Sequence, residues 1–575
     1  MLILFSSLSW NNIGYINWEK WFDQIFTRLL RGFNLPIGKM KMSSQEYSYF
    51  VDTTSKWVVA MIENGNSCLK YLEELLFSIK TFYHPSNTDI LQENLVDFLV
   101  SLSKHFVDRV HIERRTRPFW HSVPRQTAQL TEDDITNFVN CIKDYVFMSI
   151  FNKDYDNEAA VACQYLSILR PELIIPTILD KYHSSIENLH EPHRYISLMN
   201  CLQRVARQLV QQTDSYSEGQ LFVLPLLNSI LPAIDLNDIE KTYSTLDFIE
   251  SIVCQITFID CPSISSTGKF EDFIIEFLTR IFFLIENLST NFSDSLIINK
   301  DIDIDDLAIE AKLSSILFHI AQNSSDEIFK VIRERLLNLT DNPSLSTEVR
   351  DIVTSLIESI VRANPNETLK YFLPKIRQSV DENRTNLENT EFTWYLAIFS
   401  KLVSARGEIL INYKTDIFYI FDHCLLFENT KSYEILSSAA KCFLQSLTQI
   451  YPIEYKLTNE DLEIPTQAWG KSIDYDKLDV RFHFPTDEEI ELASEFIEKY
   501  LYSQIDFLKE NNSKLTNNQR LKSLTIIEAI GIGSFRLVPP IESQQIQAFE
   551  SIQSKYQIQY DIFFKPLSKI RIISS

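Results

Sequence analysis

The amino-acid sequence predicts an all-α protein, a HEAT/armadillo-like helical-repeat solenoid in which antiparallel helix pairs stack into a curved superhelix. Three observations predict it. Apolar residues recur at three–four spacing in many segments, breaks fall roughly every twenty residues, and only 10 of the 575 residues are glycine. Tight hairpins and phosphate loops need glycine, because only glycine adopts a positive φ without steric cost. A chain this poor in glycine is better suited to helices joined by short polar loops.

Four segments show the helical period most clearly, at residues 175–186, 270–288, 349–361 and 490–508. In the second of them, Phe270, Phe273, Ile274 and Phe277 begin one continuous apolar face. The fourth segment follows Thr486, which we expect to be the N-cap residue of a capping box. No segment of similar length alternates with period two, so strands are expected to be incidental.

Prolines divide the helical pattern. Proline is tolerated in the first turn of a helix, since the amide that it lacks has no partner inside the helix there. Breaks of this kind occur at Pro171, Pro192, Pro232, Pro343 and Pro365. The pattern predicts roughly twenty helices, whose pairs approach the ~40–47-residue period of HEAT and armadillo repeats.

Longer breaks set the predicted organisation of the chain. The parts are HEAT-like repeats at 1–288, an acidic inter-repeat loop at 289–306, HEAT-like repeats at 307–456, an inserted loop at 457–485, HEAT-like repeats at 486–540, and a weakly patterned tail at 541–575. We interpret the two loops as insertions between repeats, because the helical pattern resumes after each of them.

Charge and composition limit the partners. The chain has 54 basic and 77 acidic residues, a net charge of −23. Such a surface repels phosphate backbones and anionic lipid, which argues against direct nucleic-acid or membrane binding. The longest apolar stretch is interrupted by charged residues, so no transmembrane segment is expected. The eight cysteines are scattered without a CxxC pair, which is typical of a reduced compartment.

Several fragments imitate motifs and fail on spacing. The acidic run 301–305 begins like an EF-hand loop, but Asp306 stands where that loop requires glycine. Residues 470–472 resemble the end of a phosphate loop, but Pro465 occupies the earlier glycine position. Residues 190–193 are one residue short of a zinc-binding HExxH motif. We therefore predict no catalytic residues, no metal site and no resident cofactor.

Basic residues are unusually dense in one short segment of this acidic chain. Arg109, Arg114, Arg115 and Arg117 lie within nine residues, together with His111. In an acidic protein these guanidinium groups could bind a polyanion through bidentate contacts. They could equally sit at a helix C-terminus, where cations offset the helix dipole and their stems pack on neighbouring aromatic rings. Both interpretations stay open, because one segment cannot show that the arginines converge.

Several loop and helix fragments resemble, in the same order along the chain, the sequence pattern of a known family. This family is the large HEAT-repeat activators of the 20S proteasome, also called the 200-kilodalton proteasome activator or proteasome activator complex subunit 4 family. Matching fragments run in order from about residue 10 to about residue 540 and include loops as well as apolar helix positions. They lie at 13–18, 25–31, 34–36, 82–87, 170–176, 245–249, 260–261, 270–273, 451–455, 469–471, 523–526, 533–534 and 539–540.

This resemblance implies a function. Family members are single-chain domes that bind the α-ring of the 20S core particle and promote degradation of peptides and unfolded proteins without ATP or ubiquitin. The resemblance also implies links to acetylated histones, DNA repair and inositol-phosphate binding, with localisation in nucleus and cytoplasm. The basic run at 109–117 has a counterpart in the family pattern, which supports the anion-site interpretation.

The resemblance covers only the N-terminal-to-middle part of the family's length. The family's gate-opening tail, a hydrophobic residue followed by tyrosine and any residue, is not matched by the final residues 571–575. The module that reads acetylated histones also lies beyond the matched part. We therefore interpret the chain as a fragment, a split gene product or an incomplete gene model that supplies part of a dome wall. A generic helical-repeat scaffold or karyopherin-like transport adaptor is the alternative.

Overall fold

A computed structural model describes residues 2–33, 44–84, 90–114, 124–186, 192–260, 268–295, 302–340, 347–382, 390–425, 430–453, 466, 469–470, 481–511 and 515–535. These residues are almost entirely helical, as the apolar periodicity predicts, with a single two-stranded sheet among them. The chain divides into two compact units. Unit 1 comprises residues 1–273 together with 463–471, and unit 2 comprises residues 274–462 and 472–575.

The helices that begin in unit 1 are α1 (Leu2–Asn11), α2 (Phe22–Gly32), α3 (Ser44–Met61), α4 (Cys68–Ile79), α5 (Ile90–Arg114), α6 (Glu132–Ser149), α7 (Asp156–Leu169), α8 (Pro171–Ile186), α9 (Pro192–Val210), α10 (Gly219–Ile230), α11 (Ile239–Val253) and α12 (Phe270–Ser295). Short 3-10 segments lie at Glu19–Trp21, Lys80–Tyr83, Gln126–Ala128 and Leu231–Ala233. The boundary between the units falls inside α12, after Phe273.

Unit 2 contains α13 (Ile302–Gln322), α14 (Asp326–Thr340), α15 (Thr347–Ala363), α16 (Pro365–Glu382), α17 (Thr390–Leu402), α18 (Gly407–Leu410), α19 (Lys414–Cys424), α20 (Thr430–Thr448), α21 (Asp487–Asn511) and α22 (Asn517–Gly533). A 3-10 segment lies at Ile411–Tyr413. The strands β1 (Tyr451–Pro452) and β2 (Phe482–His483) pair in antiparallel register, with Tyr451 opposite His483.

Alternate helices pack against one another in both units. In unit 1 the row runs α1, α3, α5, α7, α9, α11, while α2, α4 and α6 pack beside one another. In unit 2 the corresponding row is α13, α15, α17, α20, α22. Neighbours within these rows are mostly two helices apart in the chain, which is the arrangement of stacked helix pairs in a solenoid.

Helix α9 illustrates how the rows are held together. Its apolar residues Leu198, Leu202, Val205 and Leu209 are completely buried, and the helix packs against α7, α8, α10 and α11. Fully burying a side chain of this size contributes about 1.5–3 kcal/mol. Because its apolar residues are covered by neighbouring helices, α9 depends on those neighbours for its stability.

Three of the four predicted proline breaks that the structure describes are confirmed as helix starts. The fourth, Pro232, lies instead in the 3-10 segment Leu231–Ala233 that follows α10. Pro171, Pro192 and Pro365 are the first residues of α8, α9 and α16. The predicted capping box at α21 is also present, since the Thr486 amide donates to Glu489 Oε2 at 2.7 Å and the Glu489 amide donates to Thr486 Oγ1 at 3.3 Å. The break at Pro343 lies outside the described residues.

The loops differ from the prediction. The predicted acidic loop 289–306 is helical at both ends, because α12 continues to Ser295 and α13 begins at Ile302. Residues 289–295 contain no proline or glycine, so their polar sequence does not end the helix. The inserted loop 457–485 contains β2, and part of it belongs to unit 1. The tail 541–575 lies outside the described residues.

Gly407 is required by close packing in unit 2. A Cβ at this position would lie 2.3 Å from Glu489 Oε1 and 2.9 Å from the Ser446 carbonyl oxygen. Glu489 cannot move aside easily, because it is fully buried and its carboxylate is bound by the Thr486 amide and lies 3.0 Å from His483 Nε2. The first residue of α18 therefore has no room for a side chain.

We expect Gly407→Ala to lower the free energy of unfolding by about 1–3 kcal/mol, because the added methyl group displaces a buried carboxylate. The matched control is Gly531→Ala in α22, where an added Cβ meets nothing within 4 Å. Alanine is favoured over glycine inside a helix, so this control should be neutral or stabilising. Urea unfolding followed by circular dichroism measures both. Equal destabilisation by the two substitutions would contradict the packing argument.

Candidate functional site

The first residue of the basic cluster, Arg109, is completely buried in unit 1. Its Nη1 donates to the carbonyl oxygens of Val59 and Ile62, both at 2.5 Å, at the C-terminal end of α3. Its Nη2 donates to the Ala128 carbonyl oxygen at 3.0 Å. A cation placed at a helix C-terminus satisfies carbonyls that have no partner within the helix and offsets the helix dipole.

The charge of Arg109 is balanced inside the same site. Its Nε donates to Glu113 Oε1 at 2.8 Å, and the Glu113 side chain is only 3% exposed. Glu113 Oε2 in turn accepts from the Leu130 amide at 3.0 Å. The guanidinium group therefore joins α3, α5 and the segment before α6. This corrects the prediction for Arg109, because a buried guanidinium that is already bonded on Nε, Nη1 and Nη2 cannot receive an external anion.

Arg114 occupies a different environment, near the surface. Its Nη1 lies 2.7 Å from Glu132 Oε1, and Glu132 Oε2 accepts from Arg170 Nη2 at 2.5 Å. The Arg170 hydrogen bond, and then the nearby Arg114 charge, hold the pKa of the Glu132 carboxyl below its usual value. Arg115 and Arg117 lie outside the described residues. Anion binding by Arg114, Arg115 and Arg117 therefore stays a prediction.

A cavity of about 130 Å³ adjoins this pair of arginines. Arg114, Arg170 and His111 supply its polar wall, and Ile135, Ile168 and other apolar residues supply the rest. Arg170 could not be included from the sequence alone, because it lies more than fifty residues after Arg114 and is brought to it by the packing of α6 beside α7. Both arginines already share Glu132, so any added anion would compete with that carboxylate.

The residues that imitate motifs have structural explanations where they are described. Gly470 has a φ of +61°, and a Cβ on it would lie 3.0 Å from both Gln211 Cβ and Val210 Cγ2. His193 Nε2 lies 3.0 Å from the Phe151 carbonyl oxygen. The acidic run 301–305 lies outside the described side chains. Within the described residues, no group of three or more His, Cys, Asp or Glu side chains is placed to hold a metal ion.

The structure shows a role for Trp469 that the sequence did not reveal. This side chain is 2% exposed, its Nε1 donates to Thr257 Oγ1 at 2.9 Å, and its ring packs edge-on against Phe270. Two hydrogen bonds hold the backbone beside it, from the Gly470 amide to the Gln255 carbonyl oxygen and from Gln220 Nε2 to the Thr466 carbonyl oxygen. A tryptophan–glycine pair in an otherwise polar loop was the available signal.

Most of the described cysteines behave as small apolar residues, although Cys254 is exposed. Cys68, Cys163, Cys201 and Cys424 are buried. Burial raises the pKa of the Cys141 thiol to about 12 and raises the pKa of Cys68 and Cys424 as well. Thiols held protonated are poor nucleophiles, so these positions fit packing and not catalysis. In the part of the chain that the structure describes, no helix is both long and apolar enough to cross a membrane.

Replacing Arg109 should lower the free energy of unfolding much more than replacing Arg114. Arg109→Ala leaves Glu113 buried without its cation, which we expect to lower the free energy of unfolding by about 3–5 kcal/mol. Arg114→Ala removes a 38% exposed partner of an exposed carboxylate. That control should cost at most about 1 kcal/mol. Denaturant titration of both variants tests this, and similar values would contradict the structural role of Arg109.

Asp97 on α5 gives the stability a predictable pH dependence. Burial, and then the charges of Glu158 and Glu93, raise the pKa of its carboxyl to about 6. The native state therefore holds this proton at pH values where the unfolded chain has released it, and stability falls as the pH rises from about 4 to about 6. Asp97→Asn should remove that loss, raising the free energy of unfolding at pH 7 by about 1 kcal/mol after allowance for solvent screening. Urea unfolding of the variant and of the unsubstituted chain, at pH 4 and at pH 7, tests this. The variant should be more stable at pH 7 only. An equal gain in the free energy of unfolding at both pH values would contradict the proposed titration of Asp97.

Comparisons with known proteins identify the family. The family profile described as "Proteasome activator complex subunit 4, mid HEAT repeats region" matches residues 72–265 and 263–529. The chain is 30% identical over 579 residues to "Proteasome activator complex subunit 4" of Homo sapiens, which covers 94% of this chain and 31% of that protein. It is also 30% identical to subunit 4B of Danio rerio, over 94% of this chain and 32% of that protein.

A more distant relative carries a related name. "Proteasome activator BLM10" of Saccharomyces cerevisiae is 22% identical over 528 residues, covering 81% of this chain and 24% of that protein. The chain thus spans about a third or less of the length of the curated relatives it matches. Since the family profile covers most of the helices of both units, this chain belongs to the proteasome activator complex subunit 4 family.

Proposed function

We propose that this chain forms part of a dome that binds the α-ring of the 20S proteasome core particle and promotes ATP- and ubiquitin-independent degradation of peptides and unfolded proteins. The observation that carries the proposal is the family match, which runs through the helices of unit 1 and unit 2. The chain would supply a segment of the dome wall, since it spans about a third of its relatives' length.

The role that we propose is regulatory and non-catalytic. Stacked helix pairs present long surfaces, and solenoid proteins typically use such surfaces to bind other macromolecules. The buried charged groups Arg109 and Glu489 are both occupied in structural contacts. The net charge of −23 favours protein partners over nucleic acid or membrane.

Further properties follow from the family resemblance alone and are proposed on that basis. They are residence in nucleus and cytoplasm, a link to DNA repair, contact with acetylated histones through regions beyond this chain, and binding of an inositol phosphate. For the last, the surface arginine Arg114 together with Arg115 and Arg117 is the candidate cluster, without the buried Arg109.

The function is tested by incubating the purified chain with latent 20S core particle. We expect the two to comigrate on size exclusion and hydrolysis of a fluorogenic peptide to rise above that of the core alone. The chain without core particle should hydrolyse nothing. Failure to comigrate, with circular dichroism showing a folded chain, would contradict the proposal. Turnover by the isolated chain would contradict the non-catalytic role, and capture of a small GTPase or a basic localisation peptide would favour a transport adaptor.

A further inference from the structure

One part of unit 1 comes from far along the chain. Unit 1 consists of residues 1–273 and the separate segment 463–471, while the residues on either side of that segment belong to unit 2. The rest of unit 1 is one continuous stretch, and the described residues of the segment lie against it as a bound peptide would. Proteins that accept a strand or peptide supplied from elsewhere use this arrangement for recognition. We call the site that receives the segment the slot, which is lined by Val210, Gln211, Gln220, Gln255, Thr257 and Phe270.

The slot holds an indole through an apolar wall and one acceptor. Trp469 is 2% exposed there, and its Nε1 donates to Thr257 Oγ1 at 2.9 Å. The indole ring packs edge-on against Phe270 with 6.1 Å between the ring centroids, and Phe270 packs in turn against Phe258 at 5.2 Å. Thr257 is itself buried, so a ligand without an N–H donor would leave its hydroxyl without this partner. Of the aromatic side chains, tryptophan combines the apolar area with a donor at this position.

The position after the tryptophan requires glycine for two reasons. Gly470 has a φ of +61°, a conformation that glycine adopts without steric cost and other residues rarely adopt. A Cβ on it would also lie 3.0 Å from both Gln211 Cβ and Val210 Cγ2, and 3.1 Å from the Gln211 amide nitrogen. Backbone geometry and lack of space therefore both select against a larger residue at this position.

Hydrogen bonds to the backbone hold the segment on both sides of the indole. The Gly470 amide donates to the Gln255 carbonyl oxygen at 3.1 Å. On the other side, Gln220 Nε2 donates to the Thr466 carbonyl oxygen at 2.7 Å. The same Gln220 nitrogen donates to the Val210 carbonyl oxygen at 2.8 Å, which anchors it at the end of α9. Backbone hydrogen bonds of this kind contribute affinity for any sequence, while the indole and glycine positions contribute specificity.

We propose that the slot is a peptide-recognition site for a Trp–Gly pair and that segment 463–471 is its resident, exchangeable ligand. A peptide with the same sequence then binds the slot once the resident segment no longer fills it. The partner that fits is a protein segment with an accessible Trp–Gly pair and a backbone carbonyl three residues before the tryptophan. This inference is independent of core-particle binding, because every contact that carries it lies within unit 1.

The experiment measures the fluorescence anisotropy of a fluorescein-labelled peptide with the sequence of residues 463–471, mixed with the full chain. In the intact chain the resident segment competes at an effective concentration on the order of millimolar, so micromolar peptide should not bind. The double variant Trp469→Ala, Gly470→Ala removes the indole and adds a Cβ where there is no room, which vacates the slot. We expect this variant to bind the peptide at least about tenfold more tightly than the intact chain does.

Altered peptides and chains test the specificity of the vacated slot. Alanine in place of the peptide's tryptophan should weaken binding about a hundredfold, and alanine in place of its glycine about tenfold. Adding Thr257→Val to the double variant should weaken the unaltered peptide at least about fivefold, since the indole N–H loses its acceptor. The matched control chain carries Trp21→Ala and Gly531→Ala, which remove an exposed tryptophan and a glycine with open space around it. It should bind the peptide no better than the intact chain.

Failure of the folded double variant to bind the peptide, or equal affinity for all three peptides, would overturn the inference. Should circular dichroism show that the double variant is unfolded, the intact chain is studied by hydrogen exchange in the presence of millimolar peptide. The Gly470 amide should then exchange faster, because displacement of the resident segment breaks its hydrogen bond to the Gln255 carbonyl oxygen. Unchanged exchange at this amide would also overturn the inference.

Discussion

The helices of this protein have apolar faces that only neighbouring helices can cover, and this constraint governs the rest of the structure. A single amphipathic helix of ten to twenty residues is marginal in water, so its stability comes from packing. Helix α9, whose apolar residues are buried, packs against both α7 and α11. The loss of one member of a row therefore exposes apolar surface on two others. Solenoids share this dependence on nearest neighbours, and it explains why the pattern extends over hundreds of residues.

Polar contacts between helices fix how the apolar faces align with one another. Arg377 on α16 lies 2.6 Å from Asp416 and stacks over the Tyr419 ring at 4.3 Å, joining α16 to α19. The same combination of cation, carboxylate and aromatic ring joins α14 to α16 through Arg333, Glu367 and Tyr371. Ion pairs with at least one exposed partner, as in both of these, contribute little each. Their geometry nevertheless fixes which turn of one helix meets which turn of the next, a choice that apolar side chains leave open.

Features that depend on adjacent residues could be predicted from the sequence. The proline starts of α8, α9 and α16 and the capping box of α21 are set within a few residues, and the apolar period of α12 and α15 is a property of each segment. Features that depend on residues distant in the sequence could not be predicted in this way. Arg109 is neutralised by Glu113 nearby but donates to carbonyls forty-seven and fifty residues away. Arg109 was therefore grouped with the neighbouring arginines as part of a surface cluster, because the adjacent sequence does not show that its side chain is buried.

The Trp469 contact has a consequence for how the chain folds as it is synthesised. The partner of its indole, Thr257, precedes it by 212 residues. At a synthesis rate of about 5–20 residues per second, roughly 10–40 s pass between the appearance of the two residues. Throughout that interval the N-terminal unit has an unfilled slot beside Phe270, while most of the following unit emerges from the ribosome. Completion of the first unit is therefore a late event in the synthesis of the chain.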